Sequence, residues 1–434
     1  MTNGSKGSAP HLLRSIGFFG VAVVALNGVI GAGIFALPAA ITARAGALSP
    51  WLFLIVGALV ITVVLTFAEL ASYFRDTGGP VLYTTQAFGK LTGFSAGWVL
   101  FLSRVTAYAA NMTVMAKYLG AVVPFFATDL GRALFIIGVG GGLTWANYVG
   151  VRDGMRMLGV LTVMKLVPIV LLILLGLPYV TGETLLPATL PTIDDLGGTT
   201  LLLIYAYVGF ESTTIISGEA KNPTRTLPVA LVSTVVLIAV LYFLIVLVYI
   251  SVLPDATGDQ TLIDVGSALA GPVGALVITI AAVFSIGGNL ASIMLAVPRL
   301  TFALSEQRLL PGWFGAIHER HATPGNSILF LGTLGVAFAL TGTFAKLAVA
   351  SSLMRLICYV LCILALPIIR RQATEAARAA AFRLRGGYTI PLVALLLCAW
   401  IMWQSAADAW LMTGILLLVG FGLYGWSHRE ASRT

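Results

Sequence analysis

The sequence predicts an all-α membrane protein built as a bundle of about twelve transmembrane helices. Three observations carry that reading. Hydrophobic residues make up 59% of the 434-residue chain and charged residues only 10%. The mean hydropathy of +0.99 suits a chain whose surface meets lipid. Apolar runs long enough to cross a bilayer recur from one end of the chain to the other, and the basic residues gather on one side of them. No stretch is polar enough to form a separate soluble domain, so residues 1–434 read as a single transmembrane domain.

In order, residues 1–12 are polar and read as a cytoplasmic tail. The first apolar run is longer than the core of a signal peptide and lacks a clear cleavage site, so it is expected to stay as the first helix. Spans are expected at about 15–42, 50–73, 93–119, 132–150, 157–180 and 199–218, with the first and sixth broken. The rest are expected at about 228–253, 272–304, 326–343, 345–367, 388–407 and 409–426. An even number places both termini on one side.

Charge identifies that side. Of the 25 Lys and Arg residues, 18 then fall in segments on the side of the termini, among them Lys6, Arg14, Arg75, Arg152, Lys221, Arg370 and Arg433. Arg44, Lys117, Arg132 and Lys346 lie on the other side, and Arg104, Lys165 and Arg355 lie within spans. The opposite loops around Glu183, Asp194, Asp195, Asp255, Asp259 and Asp264 carry no Lys or Arg. This asymmetry puts both termini on the cytoplasmic side, and the plasma membrane is the expected location. The asymmetry also accounts for the formal charge of +8 without a nucleic-acid partner. No metal or cofactor site is expected. Cys358, Cys362 and Cys398 lie in apolar runs and read as packing, while His11, His318, His321 and His428 all fall in cytoplasmic segments.

Two stretches interrupt the helical pattern. Gly28-Val29-Ile30-Gly31-Ala32-Gly33 holds three glycines in six residues, each costing a helix about 1 kcal/mol relative to Ala. An opened backbone there frees the carbonyls near Val29 and the amides of Ala32, Gly33 and Ile34. Such groups need partners, because lipid offers none, and together they suit a ligand carrying both an ammonium and a carboxylate. The alternative is a small-residue face for helix packing. The second interruption is Gly209-Phe210-Glu211-Ser212. The two breaks correspond if residues 15–180 and 199–367 are five-helix repeats followed by two further helices at 388–426. The first span starts inside and the sixth outside, so the repeats would be inverted, and matched breaks of this kind point to a transport site.

Ionisable residues within the spans are expensive and therefore informative. Glu211 lies about 18 Å from the outer end of its span and is expected to be paired, protonated or functional. Arg104 lies about 15 Å into the third span, and Tyr108 and Asn111 follow it on one face at i+4 and i+7. Arg355 sits similarly deep, near Ser351, Ser352 and Tyr359. Each arginine is either a tether between helices or a pocket residue, and a pocket-facing Arg104 would repel cationic side chains and favour neutral or acidic ones. Tyr205, Tyr207 and Phe210 either pack the interior or line a pocket. Lys165, about 12 Å deep, either snorkels or serves as an internal cation. Glu69 lies nearer the cytoplasmic face and is expected to snorkel.

Four stretches stand out in order: GVIGAGIFALP from Gly28 to Pro38, AELASYFRDTGGP from Ala68 to Pro80 with the Phe88–Phe94 segment and Gly97-Trp98, YAYVGFESTTIISGEAKNPTRTLP from Tyr205 to Pro228, and PRLTFALSEQRLLP from Pro298 to Pro311. With them the chain resembles the amino acid–polyamine–organocation (APC) superfamily of amino acid permeases over essentially its whole length. The resemblance implies two inverted five-helix repeats and alternating access around a central site. It implies that the substrate carboxylate meets the amides of Ala32 and Gly33, with Ile30 and Ile34 beside them. The ammonium would meet the carbonyls of Val29, Tyr205 and Val208. Tyr205 stands where arginine–agmatine antiporters have a gating tryptophan, and Glu211 where they have a proton-sensing glutamate. Lys165 matches a fifth-helix lysine of sodium-independent members; the carbonyls freed near Gly28, and Ser285 of the eighth span, are the partners expected for it in this chain. Arg104 departs from those antiporters, which have a small residue there.

The expected function is secondary active transport of amino acids across the plasma membrane, coupled to protons. The partners are an amino acid, protons and the lipid bilayer. The alternative is a sodium-independent exchanger or uniporter. A membrane-embedded enzyme would need a nucleophile–base set or metal ligands within the spans, and no histidine lies there. A channel is the remaining rival, distinguished by high flux without counterflow.

Overall fold

The computed structural model describes residues 17–74, 78–150, 154–185, 193–211, 213, 223–256 and 260–432. The expected tail at 1–12, Ser212 of the second break, Lys6, His11, Arg14, Arg75, Arg152, Lys221, Asp259 and Arg433 lie outside them, as do the side chains of Asp194 and Asp195.

The described residues contain helices and no strands. The first expected span divides into α1 (Phe18–Val29) and α2 (Gly33–Ala45). They are followed by α3 (Ser49–Tyr73), the short α4 (Pro80–Phe88), α5 (Lys90–Val122), α6 (Asp129–Val149) and α7 (Gly154–Gly176). The second half comprises α8 (Ile193–Tyr207), α9 (Pro223–Val252), α10 (Leu262–Glu306), α11 (Gly325–Thr341), α12 (Phe344–Gln372), α13 (Thr389–Trp403) and α14 (Ala407–Ala431). Seven helical segments among these residues are long and apolar enough to cross a membrane.

Local chemistry sets the helix ends. Pro80, following Gly79, opens α4 with the preset φ a first turn requires. Thr128 caps α6 by accepting from the Gly131 amide at 3.1 Å. At α10, Thr261 accepts from the Ile263 amide at 3.2 Å and Asp264 accepts from the Thr261 amide at 2.6 Å, a reciprocal cap. Ala270 and Gly271 then leave helical geometry ahead of Pro272, so the apolar span begins at the proline.

The centre of the bundle is α5. Every residue from Ala96 to Ala116 is buried, although this is the least apolar of the long helices. It packs against α4, α10, α11 and α12, while α3 packs on α9 and α2 on α8. Small residues allow these approaches. A Cβ on Gly57 would lie 2.8 Å from Ala239 of α9, and one on Gly140 would lie 2.4 Å from Val336 of α11.

Glu69 does not snorkel. It is fully buried, and Arg370 of α12 grips both its oxygens at 2.7 Å. The Leu384 amide adds a bond at 3.1 Å. Arg370 also donates to the Gly387 carbonyl at 2.9 Å and lies 4.6 Å over the Tyr388 ring. Snorkelling requires an open path to water, and the chain between α12 and α13 closes it here.

The two breaks meet backbone to backbone. Gly209 has φ of +128°, and a Cβ on it would lie 2.0 Å from the Gly28 carbonyl oxygen. Gly209→Ala is therefore expected to cost roughly 3–5 kcal/mol, through both overpacking and the unfavourable φ. Gly138→Ala, whose new methyl would meet nothing within 4 Å, is expected to leave stability nearly unchanged. Unfolding of the purified proteins in detergent measures both, and equal midpoints would refute the contact.

Candidate functional site

In the first break, α1 ends at Val29, Ile30 is extended at ψ of 95°, and α2 starts at Gly33. Side chains from three other helices hold the backbone that this opens. The Ile30 carbonyl accepts from Lys165 Nζ of α7 at 3.0 Å. The Ala32 amide donates to Asn111 Oδ1 of α5 at 2.9 Å. Asn111 Nδ2 donates to Asn289 Oδ1 of α10 at 2.7 Å. Asn289 Nδ2 in turn donates to the carbonyls of Asn27 and Gly28 at 2.8 and 3.2 Å. Asn27 itself donates to Thr162 of α7. The amides of Gly33 and Ile34 open α2, where a helix supplies no internal acceptor.

In the second break, α8 ends at Tyr207 and a turn runs through Val208, Gly209 and Phe210 to Glu211. Glu211 is fully buried. Its Oε2 accepts from the Gly209 amide at 3.0 Å and from the Tyr359 hydroxyl at 2.8 Å. Its Oε1 faces Arg104 Nη2 at 3.0 Å and Arg355 Nε at 3.3 Å. Arg104 also donates to the Gly209 carbonyl at 3.3 Å. Arg355 Nε donates to Ser103 Oγ at 2.9 Å, and Ser351 Oγ donates to the Ser103 carbonyl at 2.7 Å. One carboxylate thus ties α8 to α5 and α12.

Between the breaks lies a cavity of about 20 Å³, room for one or two waters and not for an amino acid. Gly28, Val29, Gly31, Ala32 and Gly33 line it on one side, and Tyr205 and Val208 on the other. Arg104, Ala107 and Asn111 of α5, Asn289 of α10 and Arg355 of α12 complete the wall. The arrangement can offer main-chain donors and acceptors, two asparagine amides and two guanidiniums to a small polar solute.

The expected site residues fall into two groups. Val29, Ala32, Gly33, Tyr205, Val208, Arg104 and Gly28 surround the cavity, and Arg104 is both wall and tether. Ile30, Ile34, Tyr108 and Phe210 are not part of its lining. The carbonyl of Ile30 is held by Lys165, and Ile34 is fully buried. Tyr108 is turned toward α11, where a Cβ on Gly335 would lie 2.6 Å from its ring. Phe210 packs on Phe67 and Tyr359, ring centroids 5.6 and 5.3 Å away. Tyr207 is interior packing, its hydroxyl donating to the Phe53 carbonyl at 2.6 Å. Ser285 is buried, and its hydroxyl makes no hydrogen bond among the described residues, so the expected link to Lys165 is absent. Gly33 faces Ala206, whose Cα would lie 3.2 Å from a Cβ at that position. Sequence reasoning missed Ala107 and Asn289, and named Gly31 only as part of the first break. Asn289 did carry a signal, as an amide in the middle of an apolar span.

Residues 16–420 match the amino acid permease family. The chain is 26% identical to a methylthioribose transporter of Bacillus subtilis (strain 168), covering 98% of this chain and 95% of that one. It is 27% identical to the serine/threonine exchanger SteT of the same organism, over 97% and 98% of the two chains. It is 24% identical to the branched-chain amino acid permease BcaP of that organism, over 100% and 96%. Among solved structures it shares the fold of MhsT in complex with L-phenylalanine, with a TM-score of 0.62 and 14% identity over 92% of this chain and all of that one. The four stretches that resemble permeases thus sit in a chain that matches almost end to end, and the protein belongs to the amino acid permease family.

Proposed function

We propose that this protein is a secondary active transporter that moves amino acids across the plasma membrane by alternating access, coupled to protons. It is not an enzyme in this reading, which agrees with relatives that are permeases and an exchanger. The observation that carries the proposal is the pair of helix breaks that face one another across a cavity walled by backbone polar groups. The chain would cross the membrane twelve times, with inverted repeats at 15–180 and 199–367, two further helices at 388–426, and both termini cytoplasmic.

In this mechanism the substrate carboxylate is received at the start of α2, where the amides of Gly33 and Ile34 and the helix dipole favour an anion. The ammonium is received by the carbonyls of Val29, Tyr205 and Val208. Asn111 accepts from the Ala32 amide, and the substrate takes its place there. The cavity is closed around too little space for an amino acid, so binding must widen it. That difference between states is what lets a ligand bias the equilibrium.

Lys165 stands as an internal cation at the first break, fully buried and bonded to the Ile30 carbonyl. Charged, it donates strongly to that carbonyl; neutral, it holds the break less firmly. A proton can therefore shift the two states through unequal affinity. Glu211 on the opposing break is the second participant in coupling. A strut that stays charged, in an exchanger or uniporter, is the competing role.

Purified protein in liposomes tests the reading by uptake of labelled amino acids, with methylthioribose included, under an imposed proton gradient. Gradient-driven uptake of an amino acid and counterflow are expected; free flux without counterflow would indicate a channel. Ala107→Val puts two more carbons into the cavity and is expected to cut uptake more than about tenfold while the protein still folds. Unchanged uptake would place the substrate elsewhere. Gly33→Val is a poorer probe because it also forces α2 from Ala206.

Lys165→Ala is expected to abolish the pH dependence of uptake while substrate still binds, and sodium is expected to have no effect on the parent protein. A sodium requirement, or indifference to the proton gradient, would overturn the coupling role.

A further inference from the structure

The charges around the cavity do not balance. Two guanidiniums, Arg104 and Arg355, face one carboxylate, Glu211, and among the described residues both arginines but no acidic side chain line the cavity. Glu211 has little left to offer a second arginine. A carboxylate presents about four acceptor positions, and the Tyr359 hydroxyl, the Gly209 amide and the two guanidiniums all approach its two oxygens. Arg355 is 1% exposed. Its Nε is shared between Ser103 and Glu211, while its Nη2 has no hydrogen-bond partner among the described residues. A buried, charged donor without an acceptor is costly, and Arg355 is one of the residues that line the cavity.

We propose that Arg355 reads an anionic side chain of the substrate, so that the transported solute is an acidic amino acid. This rests on the reading of the cavity as an amino acid site and extends it to the substrate's side chain. The α-carboxylate and ammonium meet the backbone at the breaks, and the second carboxylate meets the Arg355 guanidinium. Arg104 stays with Glu211 and the Gly209 carbonyl and adds its field. One added negative charge then neutralises the cluster. A lysine or arginine side chain would instead meet two guanidiniums at close range and is excluded by repulsion.

Equilibrium binding to the purified protein, read by thermal shift and by isothermal titration, tests this with L-aspartate and L-glutamate against L-asparagine, L-glutamine, L-serine, L-valine and L-lysine. The acids are expected to bind at least about tenfold tighter than their amides, the effect of one charge-assisted pair in a buried site, and lysine is expected not to bind. Arg355→Met is expected to weaken binding of the acids at least about tenfold more than binding of the amides. Arg355→Lys is expected to restore part of that difference.

Amides that bind as tightly as the acids would overturn the proposal, and this comparison needs only the unsubstituted protein. Equal losses for acids and amides in Arg355→Met would also overturn it, assigning Arg355 to the α-carboxylate. Binding of serine or valine with rejection of the acids would sink the inference while leaving amino acid transport intact. Absence of binding by every amino acid would defeat both readings.

Discussion

The architecture depends on one contact, the approach of Gly209 to the Gly28 carbonyl, which no side chain at position 209 could permit. It brings two interrupted helices from opposite halves of the chain together in the middle of the bundle. In lipid the interruption of a helix is tolerated only where protein or water takes over the released backbone groups. Here the partners can be followed group by group. Lys165 takes the Ile30 carbonyl, Asn289 those of Asn27 and Gly28, and Asn111 the Ala32 amide. Glu211 takes the Gly209 amide and Arg104 the Gly209 carbonyl. Each partner comes from a side chain that an apolar bundle would otherwise exclude, which explains why the most buried long helix is also the most polar one.

Part of that network also walls the cavity: Asn111, Asn289 and Arg104 each satisfy an open backbone group and line it. Asn111 and Asn289 form a hydrogen-bonded bridge from the first break to α5 and α10. The Glu211 cluster forms a second bridge, from the other break to α5 and α12. Burying a carboxylate between two guanidiniums carries a desolvation cost that their attraction and the bonds from Tyr359 and Gly209 must offset.

The Glu69–Arg370 pair shows the same principle away from the cavity. Bidentate geometry and a backbone amide compensate the burial of a carboxylate near the end of α3. Depth along its own helix gave no sign of this pairing, because the partner arrives from 301 residues later in the chain. Position in a span estimates how far a group lies from water along one axis. It does not report what covers the group from the side.

Sequence alone determined the helical class, the places where helices break and the residues whose charge makes them conspicuous in lipid. Glycine spacing carries the first break because propensity and the demand for backbone partners are local properties. Glu211, Arg104, Arg355 and Lys165 stand out because a charge in an apolar run is legible without any partner. The four stretches that resemble permeases carried the family. Only the tertiary structure decided which of these residues meet. It turned Tyr108 toward α11 and Phe210 toward Phe67, gave the Ala32 amide to Asn111, set Gly33 against Ala206 and brought Asn289 to the first break. The reason is geometric: helical periodicity assigns side chains to faces, but the rotation of each helix and the identity of its neighbour follow from packing across the whole bundle.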